Sequence, residues 1–350
     1  MPANRSVLLL TVCALLFALG SPVFAQLDPA APPTDDLDYA EIQLRIAAML
    51  PAQPDLLKFS PLYTFRFVDW PDGIGNLAAR YEEAFKGYSL KTSNNKVLLL
   101  DKSGRTIFAC DSEKKRQTML ATDYQNKGLQ LDDFAPMHKN GLAIADNSKN
   151  ALLFFEDNKF VRQVGFDGNR ILFRHISFVE PDRLGLNVAV YDSGRDKTFV
   201  FDASGRQQWE LAGTAEPCFF GNSLLRLVKH DTKLEIQRFS DILKTPDNIG
   251  NYSCSQGNII LDAWIAGTFG GQLAMVVYEG RGDEDHPDYA RLLLLKDRQI
   301  KTHRFIPNLD SRLSLVTPYR LLITRSGVQL ISARITGQGL EIVAAPVPYR

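Results

Sequence analysis

Four carboxylates offer the most chemistry in this sequence. Glu180, Glu216, Asp262 and Asp310 stand beside short apolar runs, each in a different stretch of the chain. Brought to one point, they would form an oxygen-rich pocket for a hard cation such as Ca²⁺, which takes roughly six to eight oxygen ligands. Such a cation could activate a water or polarise an ester carbonyl. Asp262 is the most pointed of the four. It separates Ile259-Ile260-Leu261 from Ala263-Trp264-Ile265, and a charge inside an apolar run is costly unless paired or liganded. His138 and Asp182 occupy comparable positions. The ordinary role of such acids is turn capping, because Asp accepts local backbone hydrogen bonds.

Other chemistry is sparse. The loop Glu279–Asp288 carries five carboxylates and His286, but it lacks the D-x-[DN]-x-[DN]-G spacing of a calcium loop and reads as a solvated tip. No G-x-S-x-G, no P-loop and no G-x-G-x-x-G occurs, and the five histidines are scattered. No motif requires a cofactor, which leaves Ca²⁺ as the candidate. Three cysteines follow the first 25 residues, Cys110, Cys218 and Cys254, without a C-x-x-C.

The elements that must position these groups begin after a leader. Arg5, the apolar run Val7–Leu19, the break at Gly20-Ser21-Pro22 and the small residues Val23 and Ala25 read as a secretory signal over 1–25. The run is too short to span a bilayer, which takes about 20 residues. The mature chain is therefore expected to be periplasmic or secreted, with no transmembrane segment. Lys+Arg and Asp+Glu both number 40, and the leader removes only Arg5. A near-neutral chain has no global field to hold nucleic acid; a protein or peptide partner is expected instead. Residues 26–57 read as a Pro-rich linker with an amphipathic helix over 38–50, its apolar residues recurring at helical spacing. A second helix is predicted over 76–86, closed by Gly87.

From residue 58 the period changes to two. A strand–turn–strand unit recurs as KVLLLDKSGRTIFAC (96–110), ALLFFEDNKFVRQVG (151–165) and TFVFDASGRQQWELAG (198–213), and more loosely at 233–244, 291–305 and 327–342. Each is preceded by another strand, and most by one further apolar run, giving four strands in each of six units. Repeats of roughly 40–50 residues with four strands each indicate a β-propeller, because radial stacking buries both faces of every sheet. The competing arrangement is two β-sandwiches in tandem.

At Asn140–Gly165 the residues Gly141, Leu142, Ala143, Asp146, Phe155, Val161 and Gly165 resemble the NHL repeat, and FVFDASG (199–205) resembles its second half. The resemblance implies a six-bladed propeller over 58–350, with blades near 58–112, 128–166, 171–213, 217–245, 257–305 and 311–345. The helix at 76–86 would be an insertion in the first. It also implies faces that bind peptides, proteins, nucleic acid or small ligands; a minority of relatives are calcium-dependent lactonases and esterases, or lyases. On this arrangement Cys218 lies on an inner strand and Cys254 just before the next, so this pair could bridge; three unpaired thiols is the alternative. The expected function is an exported, rigid protein- or ligand-binding platform. The alternative is a calcium-dependent lactonase or esterase using Glu180, Glu216, Asp262 and Asp310 in the central channel. Fold alone does not choose between them.

Overall fold

The computed structural model describes residues 56–66, 88–93, 95–102, 106–111, 116–118, 131–165, 171–213, 216–240, 245–281, 289–307, 318–336 and 339–348. The expected leader and both expected helices lie outside these residues. The described strands form six four-stranded antiparallel sheets. In five of them the strands pair in sequence order. The first strands of the six blades are Tyr88–Ser93, Leu131–Met137, Ile176–Pro181, Cys218–Phe220, Ile259–Phe269 and Arg320–Thr324. Each of these contacts the first strands of the blades on either side, the last returning to the first. They therefore line the axis of a closed ring. This is a six-bladed β-propeller.

Period-two sequence explains why each blade is apolar on both faces. In Gly141–Asp146, Leu142 and Ile144 pack against Leu98 and Leu100 of blade 1. Their neighbours Ala143 and Ala145 face Val188 and Val190 of blade 3. Ala151–Glu156 repeats the division: Leu153 and Phe155 go one way, Leu152 and Phe154 the other. Both sets are buried between sheets, so the strand reads as a continuous hydrophobic run.

The ring closes differently from the expectation that residues from 58 begin the first blade. Ser60–Arg66 pairs with Gly339–Pro346 and is the outermost strand of blade 6. Phe65 opposes Leu340 and Tyr63 opposes Ile342; Phe65, Leu340 and Ile342 are buried with Leu99 and Phe108 of blade 1. Blade 1 starts at Tyr88. Blade 4 runs on to Asp247–Ser253, beyond its expected limit of 245. That strand alternates exposed and buried residues and has no apolar run to betray it.

The recurring acids do local work. Asp192, fully buried at the end of a second strand, accepts the N–H groups of Arg174 and His175, which lead into the inner strand of the same blade, and of Gly194 in the turn. Asp202 similarly accepts from Ser204 and Arg206. A buried ion pair within blade 5 also clasps blade 4 to it through a tyrosine. Arg291 Nε donates to Glu279 Oε1 at 2.8 Å, and the Tyr252 hydroxyl donates to the same oxygen from the outer strand of blade 4.

Candidate functional site

Every blade sends a charged side chain from its inner strand, or from the residues just before it. In order around the ring these are Lys91, Asp133, Glu180, Glu216, Asp262 and Arg320. Four of them make one buried network. Lys91 Nζ donates to Asp133 Oδ2 (3.1 Å), to Glu180 Oε2 (3.2 Å) and to the Val179 carbonyl (2.7 Å). An ammonium has three N–H bonds, and all three are used. Asp133 also accepts from the Ser89 hydroxyl and from Val179 N–H at 2.7 Å. Arg320 Nη1 donates to Glu180 Oε1 at 3.0 Å, and its Nη2 lies 3.0 Å from Oε2. Lys91 and Arg320 also approach the ring of Phe178, at 4.3 and 5.6 Å from its centroid, a cation–π arrangement. Two cations face two carboxylates, so the network carries no net charge into the interior.

Glu216, just before the fourth inner strand, lies within electrostatic reach of this network. Burial, and then the Asp262 carboxylate, push its carboxyl up to about 7, while Arg320 and Lys91 pull the other way. Asp262 lies at a register shift early in the fifth inner strand, where its Oδ1 accepts from Ala263 N–H at 2.8 Å.

On the side where the inner strands end, Lys91, Glu180 and Arg320 of this network floor a cavity of about 690 Å³. Thr92, Ala266 and Thr268 form part of its wall, and the hairpin turns that follow the inner strands of blades 1, 2 and 3, with Ile323 at the end of the sixth, form its rim. The rim is stitched between blades. His138 N–H donates to the Gly185 carbonyl at 2.7 Å. Gly185 has φ +64°, and a Cβ there would meet His138 N at 2.7 Å, so no larger residue fits this crossing. Five Lys or Arg line the cavity against two carboxylates, Glu180 and Asp182.

The structure sorts the residues singled out above. Glu180 is on the axis, held by Lys91 and Arg320. Glu216 and Asp262 are near one another in electrostatic terms. Asp310 lies outside the described residues, as do residues 282–288 of the acidic loop. Among the described residues no three His, Cys, Asp or Glu side chains group as ligands for one metal ion. His138 stands in the turn after the second inner strand, on the cavity rim. Asp182 caps the corresponding turn of blade 3, accepting from Leu184, Leu186 and Asn187 N–H.

Cys218 and Cys254 do not bridge; both are free thiols. Cys218 is on the innermost strand of blade 4, but Cys254 follows the outermost. Three interstrand spacings, roughly 14 Å, separate those strands, against the roughly 7 Å a disulfide allows. Cys254 Sγ instead donates to the Asn258 carbonyl at 2.8 Å.

Lys91, Asp133 and Arg320 carry the site and were missed. Their signal was charge within short inner-strand runs: one cation each in YSLKTS and YRLLIT, and two adjacent acids in LDDFAPM.

No family model matches the chain, and no curated protein matches it. Among solved structures, a Bacteroides fragilis protein named as a candidate exported protein superimposes with TM-score 0.51 at 11% identity, over 86% of this chain and 98% of that one. The RRP9 WD40 repeats give 0.47 at 12% identity over 85% and 99%, and a streptogramin B lyase 0.46 at 11% over 84% and 88%. At such identities the likeness is one of fold. No helix among the described residues is long and apolar enough to cross a membrane.

Proposed function

We propose that this propeller is a recognition platform which takes its partner at the cavity where the inner strands end. The carrying observation is the charged floor. Lys91, Glu180 and Arg320 pair across the axis and, with Asp133 holding Lys91 from behind, give the 690 Å³ cavity a fixed polar base. A cavity of this volume falls within the range of ligand-binding sites, and its placed polar groups can fix a partner's orientation. Export fits the leader-like residues 1–25 and the name of the Bacteroides fragilis neighbour. A photo-crosslinking residue at Thr268 or Ile323 tests the site in the cells that make the protein. Adducts are expected from these positions and not from Lys233 at the opposite face; adducts from Lys233 alone overturn the reading.

A second reading is favoured by the Asp262 carboxylate, which after burial helps to raise the Glu216 carboxyl. A Ca²⁺ ion held by these two would support lactone or ester hydrolysis, without Glu180, which Lys91 and Arg320 already hold. A rise in Tm with calcium that is lost in Asp262→Asn supports it; a flat response removes it.

A further inference from the structure

The rim of the cavity specifies what it would hold. The hairpins joining the first two strands of blades 6, 1, 2 and 3 carry Arg325, Lys96, Lys139 and Arg183. These blades are consecutive around the ring, so the cations form one arc. The equivalent turns of blades 4 and 5 are Gly221-Asn222 and Gly270-Gly271, with no charge. Among the described residues none of the four cations is paired with a carboxylate. Lys96, Lys139 and Arg183 line the cavity itself. Two large apolar side chains share that rim: Leu184 is 67% exposed and Ile323 46% exposed. Deeper in, Arg320 is only 3% exposed; its Nη1 and Nη2 are held by Glu180, while its Nε has no hydrogen-bond acceptor among the described residues.

We propose that the cavity docks an acidic peptide segment of a partner protein, a specification that rests on the platform reading above. Its carboxylates meet the basic arc, and its apolar side chains cover Leu184 and Ile323. Opposite charge across an interface steers association and sets specificity. The exposed apolar pair is what separates this occupant from a small free anion, which has nothing to place on Leu184. The confinement of the arc to one rim of a near-neutral chain separates it from nucleic acid, whose phosphates need an extended basic surface.

A random peptide library displayed on phage, selected on the immobilised full chain, tests this. The enriched pool is expected to carry an excess of Asp and Glu together with apolar residues. A synthetic peptide from that pool should bind the Lys139→Glu/Arg183→Glu variant at least about tenfold more weakly, with affinity that falls as salt rises from about 0.05 to about 0.5 M. Lys233→Glu, an exposed charge reversal at the opposite face, should bind as the parent does. Both rim positions are exposed turn residues, so an unchanged Tm certifies that the variant is folded. A neutral or basic pool, no enrichment, or an acidic pool indifferent to the rim reversal overturns the proposal. Thr268→Trp, which fills the wall, separates the two levels. If it abolishes binding of a non-acidic pool, the platform reading survives and the acidic class falls. If binding of any pool persists in it, both fall.

Discussion

Arg320 and Glu180 meet across the axis of the propeller. They belong to blades 6 and 3, which stand opposite in the ring, and the Nη1–Oε1 distance is 3.0 Å. Lys91 of blade 1 joins them and ties in Asp133 of blade 2. Four blades are thus fixed to one another through charge as well as through apolar packing, and their registry around the axis is set by which acid faces which base.

Removing one member strands another. In Lys91→Met the fully buried Asp133 loses its cation and keeps only the Ser89 hydroxyl and the Val179 N–H as partners. Breaking a buried pair in this way costs about 3–5 kcal/mol, because the remaining charge is uncompensated. Urea unfolding of Lys91→Met should show that loss with an unchanged m-value. A loss below about 1 kcal/mol would mean the network is hydrated and contributes like a surface pair.

Glu216 makes stability depend on pH in a known direction. Its carboxyl is raised from an ordinary 4.5 to about 7 in the folded chain, so folding favours the protonated form. That contribution is complete below pH 4.5 and is lost as pH rises through about 7. In Glu216→Gln the proton linkage is absent. The variant should therefore be more stable than the parent at pH 8, and its Tm should fall less between pH 4.5 and 8. Parallel Tm curves for the two proteins would show that Glu216 titrates normally.

The architecture was legible because burial on both faces writes itself into sequence. The run Leu142-Ala143-Ile144-Ala145 divides its side chains between two interfaces and needs no polar position. Outer strands such as Asp247–Ser253 meet solvent and carry a weaker pattern, and ring closure by Ser60–Arg66 pairs segments at opposite ends of the chain. The site was half legible. Asp182, an acid beside an apolar run, caps a turn, while Glu180, two residues earlier, holds the axis. Sequence alone does not distinguish the two, because both stand at the same end of one strand and the difference lies in which groups of other blades the ring brings to each. The cations went unread for a related reason. Lys91 sits in a strand whose neighbours are polar, and its worth appears only once blades 2 and 3 bring their acids to it.

The thiols should report their depth. Cys218 is buried and burial pushes its thiol far above the usual range, whereas Cys254 is only half-buried and its thiol is raised less, again by burial first. Since thiolate is the reactive form, a disulfide reagent at pH 8 should modify Cys254 in the native protein well before Cys218, which reacts only on unfolding. In denaturant without reductant, Cys110, Cys218 and Cys254 should all titrate. A deficit of two thiols would mean that a bridge forms after all.

Closure of the ring gives the sharpest mutational contrast. Phe65 is fully buried in a cluster with Leu340 and Ile342 of its own blade and Leu99 and Phe108 of blade 1. It holds the N-terminal strand both to the C-terminal strand and to the first blade. Phe→Ala in a core costs about 3–5 kcal/mol through lost burial and the cavity left behind. Phe160, on the outer strand of blade 2, is 40% exposed and offers the comparison at the same substitution. Phe65→Ala should lower the urea midpoint far more than Phe160→Ala, and hydrogen exchange should rise at once in Gly339–Pro346 as well as in Ser60–Arg66, since the two strands protect each other's amides. Exchange confined to Ser60–Arg66 would show instead that the first strand frays alone and that the ring is held shut without it.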